Sequence, residues 1–127
     1  MKFGYTIVYV ADVAGTVQFY ERAFGLSRRF VHDSGQYAEM ETGETTLAFA
    51  SEPLAESNGI AIRPNLAGNV AAGFEICLVD DDPQAAYDIA IADGAQALKP
   101  VEPKPWGQRV GDVSDLNGRP VGVCSPS

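Results

Sequence analysis

A chain of 127 residues with 46% apolar and 20% charged residues has enough material for one compact core and too little for two independent domains. Its net charge of −8 argues against a nucleic-acid surface, because phosphate contacts need clustered Lys and Arg. The same acidity either keeps the protein soluble or draws cationic small molecules toward it. No apolar run approaches the ~20 residues that span a bilayer. The opening Met1-Lys2-Phe3-Gly4-Tyr5 lacks a signal-peptide core, so a cytoplasmic protein with no membrane partner is expected. Cys77 and Cys124 lie far apart in sequence and form neither a disulfide framework nor a C-x-x-C pair.

In chain order, Tyr5–Val10 is short, β-branched and aromatic, which predicts a buried strand. Asp12 can cap a helix whose apolar residues recur as Val13, Val17, Phe19, Tyr20, Ala23 and Phe24, with Gly25 at its end. Three strands follow, at 27–33, 36–41 and 45–51, separated by Ser34-Gly35 and Thr42-Gly43-Glu44 turns. Residues 52–71, with Pro53, Gly59, Pro64 and Gly68, read as a connector. The pattern then restarts: a strand at 73–79, a helix at 83–93 capped by Asp82 and opened by Pro83, and strands at 96–101, 107–113 and 119–124.

The second half repeats the first. A common shift of 69 places Tyr5 on Phe74, Val10 on Val79, Asp12 on Asp81 and Gly25 on Gly94. Further on, Gly35-Gln36 falls on Gly107-Gln108, and Ala48–Ser51 falls on Gly122–Ser125. The fold class is therefore α+β, built from two βαβββ modules: module one about 1–51, the connector, and module two about 72–127 in a single domain. Period-two alternation puts Tyr5, Ile7 and Tyr9 on one face of the first strand and Thr6, Val8 and Val10 on the other. Leu47 and Phe49 fall under the helix, as do Ala38 and Met40. Tyr37, Glu39 and Glu41 then point away, giving an aromatic and acidic second face.

The segment Phe19-Tyr20-Glu21-Arg22-Ala23-Phe24-Gly25-Leu26 and the ending Pro105-Trp106-Gly107…Asp115-Leu116-Asn117-Gly118, in that order around paired βαβββ units, resemble the glyoxalase/bleomycin-resistance/dioxygenase superfamily. The resemblance covers essentially the whole chain. It implies a curved, cup-shaped mixed sheet with helices on the outer face, commonly in a homodimer. Pro100, Pro103 and Pro105 fit an edge strand in such an assembly.

Metal enzymes of the superfamily hold their ion at four positions that fall here on Tyr5, Ala48, Phe74 and Gly122. A register one residue different puts Glu75 in place of Phe74. Neither set is a normal divalent-metal site. The arginine that anchors the glutathione carboxylate in glyoxalase I is matched by Tyr9. No metal or other cofactor is expected. Lone His32 cannot build a triad or a two-histidine site, and no phosphate-cradling glycine loop is present.

The expected function is binding of a small, planar or cationic molecule in an aromatic, acidic cup, in the manner of antibiotic-resistance members of the family. The candidate ligand residues are Tyr5, Tyr9, Tyr37, Glu39, Glu41, Phe74, Trp106 and Arg109, and no catalytic residue is assigned. Trp106 is either a core wall or a surface on which a ligand stacks. Either Gln108 or Arg109 faces the cup; matching Arg109 to Tyr37 selects Arg109 and leaves Asp112 unexplained on the helix side. The alternative function is a lactoylglutathione lyase-like or dioxygenase-like enzyme with relocated ligands.

Overall fold

The computed structural model describes all residues, 1–127, and divides into two compact units, Met1–Pro64 and Asn65–Ser127. Each carries one four-stranded mixed sheet, and three helices complete an α+β fold.

Unit one runs β1 (Tyr5–Val10), α1 (Val13–Phe24), β2 (Ser27–Val31), β3 (Tyr37–Glu41), β4 (Thr46–Ser51) and α2 (Glu52–Ser57). Its strand order is β1-β4-β3-β2, with β1 parallel to β4 and the remaining pairs antiparallel. Asp12 starts α1 by accepting the Gly15 N–H at 3.0 Å, which satisfies one of the orphan donors of the first turn. Gly25 ends it in the left-handed region at φ 66°, a conformation a Cβ disfavours, and its N–H returns to Glu21 O. The helix lays Val17 and Tyr20 on the sheet, and the Tyr20 ring meets Phe49 of β4 at 4.8 Å between centroids. Val8, Val10, Ala38, Met40, Leu47 and Phe49 are buried with them, as the alternation predicts.

α2 departs from the expected connector. The Ser51 hydroxyl accepts the Leu54 N–H, and Pro53 lies in the first turn, where its missing N–H costs nothing. Pro53 and Gly59 read as breakers in the sequence, yet one opens the helix and the other lies just past its end.

Unit two runs β5 (Ile76–Val79), α3 (Pro83–Ala92), β6 (Gln96–Pro103), β7 (Arg109–Ser114) and β8 (Pro120–Cys124), in the order β5-β8-β7-β6. Asp82 caps α3 by accepting from Ala85 N, and Pro83 opens it as expected. β6 is an edge strand and tolerates Pro100 and Pro103; its pairing with β7 slips twice. Tyr87 and Ala90 of α3 are buried, and so are Val113, Val121 and Val123 of the sheet.

Pairing across the strands corrects the repeat. Ile7 faces Ala48 in unit one and Cys77 faces Gly122 in unit two, so β1 maps onto β5 with a shift of 70. Tyr5 therefore corresponds to Glu75, not Phe74, and Asp12 to Asp82. Glu39, opposite Ala48, corresponds to Asp112, opposite Gly122. β5 also begins at Ile76, later than predicted, and Phe74 stands outside it as an exposed residue.

The facing assigned to Arg109 is corrected as well. A Cβ at Gly111 would meet the Tyr87 ring of α3 at 2.9 Å, so Gly111 faces the helix and Asp112 faces away from it. Arg109, two residues before Gly111, shares the helix-side parity, and Gln108 shares that of Asp112. The unexplained helix-side aspartate disappears with this one-residue change of face.

Candidate functional site

The far face of the unit-one sheet carries a charge network centred on a residue the sequence did not single out. Arg29 is the extra residue of a bulge, because β2 pairs Arg28 with Met40 and then Phe30 with Glu39. Its guanidinium grips Glu41 with two bonds, at 3.0 and 3.2 Å, and reaches Glu39 at 3.1 Å and the Thr46 hydroxyl at 3.2 Å. The Tyr37 hydroxyl donates to the other oxygen of Glu39 at 2.8 Å. Both Glu39 oxygens are thus occupied, and Glu39 is 9% exposed. Burial, followed by the bond to Glu39, pushes the Tyr37 phenol up to about 12. The hydrogen bonds from Arg29 hold Glu41 below the ordinary carboxylate range.

Glu39 and Glu41 are therefore not a free acidic pair: one arginine compensates them, which weakens the expected pull on a cation. Tyr5 and Tyr9 sit on β1 with Tyr5 exposed and Tyr9 half-buried. A signal for Arg29 existed in the sequence, since Arg28-Arg29 and Glu39/Glu41 fall on neighbouring strands of one hairpin. The bulge that aims Arg29 at the glutamates leaves no mark in period-two reasoning.

In unit two the residues opposite α3 converge over Gly122. A Cβ there would lie 3.1 Å from Cys77 Sγ, 3.2 Å from Asp112 Oδ1 and 3.4 Å from Glu75 Oε2. Cys77 of β5, Glu75 just ahead of that strand and Asp112 of β7 thus bring a thiol and two carboxyl groups to one spot, and the missing side chain at 122 of β8 leaves room for them. Glu75 is raised above the ordinary glutamate value, first by its hydrogen bond to Asp112, then by burial and by repulsion from that neighbour. Asp112 Oδ1 is buried with no fixed donor, so two ionised carboxylates would leave it bare. A proton on Glu75 would give that oxygen a donor, the direction in which the Asp112 neighbour shifts Glu75.

Four residues before Asp112 and with the same parity, Gln108 donates to Ser125 O at 2.9 Å and accepts the Trp106 indole N–H at 3.0 Å. Trp106 is 68% exposed, which removes the core-wall alternative and leaves a ring held by one bond and open on its surface. Arg109 belongs to the helix-side parity, and of the two residues ahead of β5 it is Glu75 rather than Phe74 that reaches the space over Gly122. Glu75, Asp112 and Gln108 replace them; the first entered the sequence reading only as a register alternative.

The turn between β7 and β8 explains the Asp115-Leu116-Asn117-Gly118 motif. Asp115 Oδ1 accepts from Asn117 N and Arg119 N at 2.9 and 3.0 Å, and Oδ2 pairs with Arg119 Nη1 at 2.8 Å. Both side chains are almost fully buried, at 2% exposure for Arg119 and 1% for Asp115. The motif therefore pins the hairpin that carries Asp112 and Gly122.

The four metal positions now read Tyr5, Ala48, Glu75 and Gly122. Two carry no donor atom, and no group of three or more His, Cys, Asp or Glu side chains is arranged to hold a metal ion. This donor set does not fit a resident divalent metal. His32 bonds to Ser34 within its own exposed turn and contributes nothing to either cluster.

Comparison with known proteins agrees with the fold. A family model described as the Glyoxalase/Bleomycin resistance protein/Dioxygenase superfamily matches residues 2–121. A glyoxalase-related enzyme from Fulvimarina pelagi superposes with a TM-score of 0.83 at 18% identity, covering 99% of this chain and 88% of that one. A family enzyme from Burkholderia phytofirmans PsJN gives 0.83 at 17% identity, covering 98% of each chain. A protein of unknown function from Agrobacterium tumefaciens str. C58 gives 0.79 at 24% identity, covering 100% of this chain and 95% of the other. At these identities the likeness speaks for the fold alone. No curated protein matches the chain.

Proposed function

Because the chain belongs to the glyoxalase/bleomycin resistance protein/dioxygenase superfamily, we propose that it is a binding member of that family, holding a small planar molecule without a resident metal. The observation that carries this reading is the Glu75–Asp112 pair over Gly122. With one proton between them, these carboxyl groups offer a donor and an acceptor side by side, which suits an amide, a carboxylic acid or a ring nitrogen. Trp106 adds an exposed aromatic surface whose orientation Gln108 holds. Since Arg29 compensates Glu39 and Glu41, hydrogen bonding and stacking outweigh attraction of a cation. Sequestration of a planar compound in the cytoplasm by a homodimer, the antibiotic-resistance mode of the superfamily, is the physiological form of this reading.

The test is a titration of intrinsic fluorescence, which comes largely from the single tryptophan, with planar aromatic compounds bearing amide or carboxyl groups. Binding to Trp106→Ala, which lacks the fluorophore and is followed by calorimetry instead, should be weaker by about twofold to tenfold, the worth of stacking. Glu75→Ala should weaken binding as well, because it deletes one half of the pair. The reading fails if no such compound binds. It is replaced by a lactoylglutathione lyase-like enzyme if purified protein retains stoichiometric zinc, nickel, iron or manganese through dialysis and turns over a hemithioacetal.

A further inference from the structure

Two thiols separated by 47 positions in the chain meet on the face of the second sheet opposite α3. Cys77 of β5 lies across from Gly122, and Cys124 of β8 lies across from Val79, so the cysteines are diagonal neighbours on a parallel strand pair. Their sulfurs are 3.3 Å apart, the Cys77 thiol donating to Cys124. Closing that gap to the ~2.05 Å of a bond takes a shift of roughly 1.3 Å, made by rotating the two side chains and drawing together two strand positions that as diagonal neighbours lie ~7–8 Å apart. The glycine at 122 keeps a Cβ out of the space beside Cys77 Sγ. The two sulfurs differ in access: Cys77 is exposed and Cys124 is buried. One can meet a reagent from solution, while the other waits behind it.

We propose that Cys77 and Cys124 form a reversible intramolecular disulfide, by exchange with a low-molecular-weight disulfide such as oxidised glutathione, which ties β5 to β8. In the first step the Cys77 thiolate attacks one sulfur of the reagent. A protein–glutathione bond forms, the reagent's own disulfide breaks, and one glutathione thiolate leaves and takes up the proton Cys77 gave up. In the second, Cys124 loses its proton and attacks the Cys77 sulfur, expelling the other glutathione as a thiol. The two protein thiols are oxidised by two electrons, and the reagent is reduced to two thiols.

The surroundings of the pair set its character. Desolvation of its sulfur, then the bond to Cys124 and repulsion from Cys124, Glu75 and Asp112, push the Cys77 thiol up to about 12. Those two carboxyls and the Cys124 thiol are the titratable groups acting on Cys77; Gln108, which reaches Cys124 Sγ at 3.8 Å, is neutral. Formation is therefore slow at neutral pH and accelerates in alkali, because the thiolate is the nucleophile. Disfavoured thiolates also make the disulfide hard to reduce, the reverse of oxidants whose reduced form is stabilised. The structure describes a slow lock rather than a fast peroxide sensor.

The full chain is incubated with oxidised glutathione across a pH series, and its intact mass and free thiols are followed. The expected product is lighter by two hydrogens, carries no glutathione, has lost both thiols together, and recovers them with dithiothreitol. Below the thiol pKa its rate of formation should rise about tenfold per pH unit. Cys124→Ser should stop at a glutathione adduct on Cys77; if that variant fails to fold, Cys77→Ser, altered at the exposed position, should abolish the lighter product. Wild-type protein that stops at glutathione adducts, links two chains together or stays unreacted in folded form at alkaline pH would overturn the proposal.

Discussion

Replacing Asp115 by alanine strips the β7–β8 turn of its counter-charge and should destabilise the second unit severely. Arg119 and Asp115 are out of water, at 2% and 1% exposure, and the guanidinium Nε already lacks a partner. Removing the carboxylate leaves a buried cation uncompensated, which costs about 3–5 kcal/mol. It also removes the acceptor of the Asn117 and Arg119 N–H groups. Arg119→Met should cost less, because the stranded carboxylate keeps those two backbone donors. The double variant should recover much of the loss, since two neutral side chains avoid the desolvation of both charges. Urea unfolding of the full chain, followed by far-ultraviolet circular dichroism, measures the series. Against a typical domain stability of about 5–15 kcal/mol, the Asp115→Ala shift is large enough to read directly. An Asp115→Ala variant within about 1 kcal/mol of wild type, or a double variant whose loss equals the sum of the singles, would refute the reasoning.

Trp106→Ala should change stability little, by the roughly 0.5 kcal/mol or less expected for an exposed side chain, while weakening binding as followed by calorimetry. A loss of several kcal/mol would return Trp106 to the core. Glu75, raised in the folded state by Asp112, makes the folded chain bind more protons than the unfolded one between the ordinary glutamate value and its own raised value. Stability from this group is full below that window and falls as pH rises through it. Glu75→Gln should flatten this slope, and parallel pH–stability curves for variant and wild type would rule out the shared proton. Closing the Cys77–Cys124 loop, 47 positions long, should raise stability by up to about 4 kcal/mol if chain entropy dominates. An oxidised chain that melts no higher than the reduced one would show the gain consumed by strain.

Much of the architecture was legible because it rests on neighbours in sequence. Asp12 and Gly25 bracket α1, Asp82 and Pro83 open α3, and each does so through contacts within four residues. The alternation Tyr37-Ala38-Glu39-Met40 sorts β3 between the helix side and the far face without knowledge of its partners. The candidate site was less legible. Tyr37 and Glu39 do meet, but Arg29, which offsets one of the two carboxylate charges, reaches Glu39 and Glu41 through a bulge, and a bulge is invisible to a period-two reading.

The repeat, the element order, the family resemblance and the scarcity of metal donors were determined by the sequence itself, since each depends on residue type, spacing or local conformation. Tertiary structure decided which of Phe74 and Glu75 corresponds to Tyr5, which way Asp112 and Arg109 face, and that Arg119 is buried against Asp115. It alone brought Cys77 to Cys124. The physical reason is common to the strand residues: a strand read in isolation fits either of two registers that differ by one residue. Only hydrogen bonding to a distant strand chooses between them, and that choice carries every side chain to one face or the other.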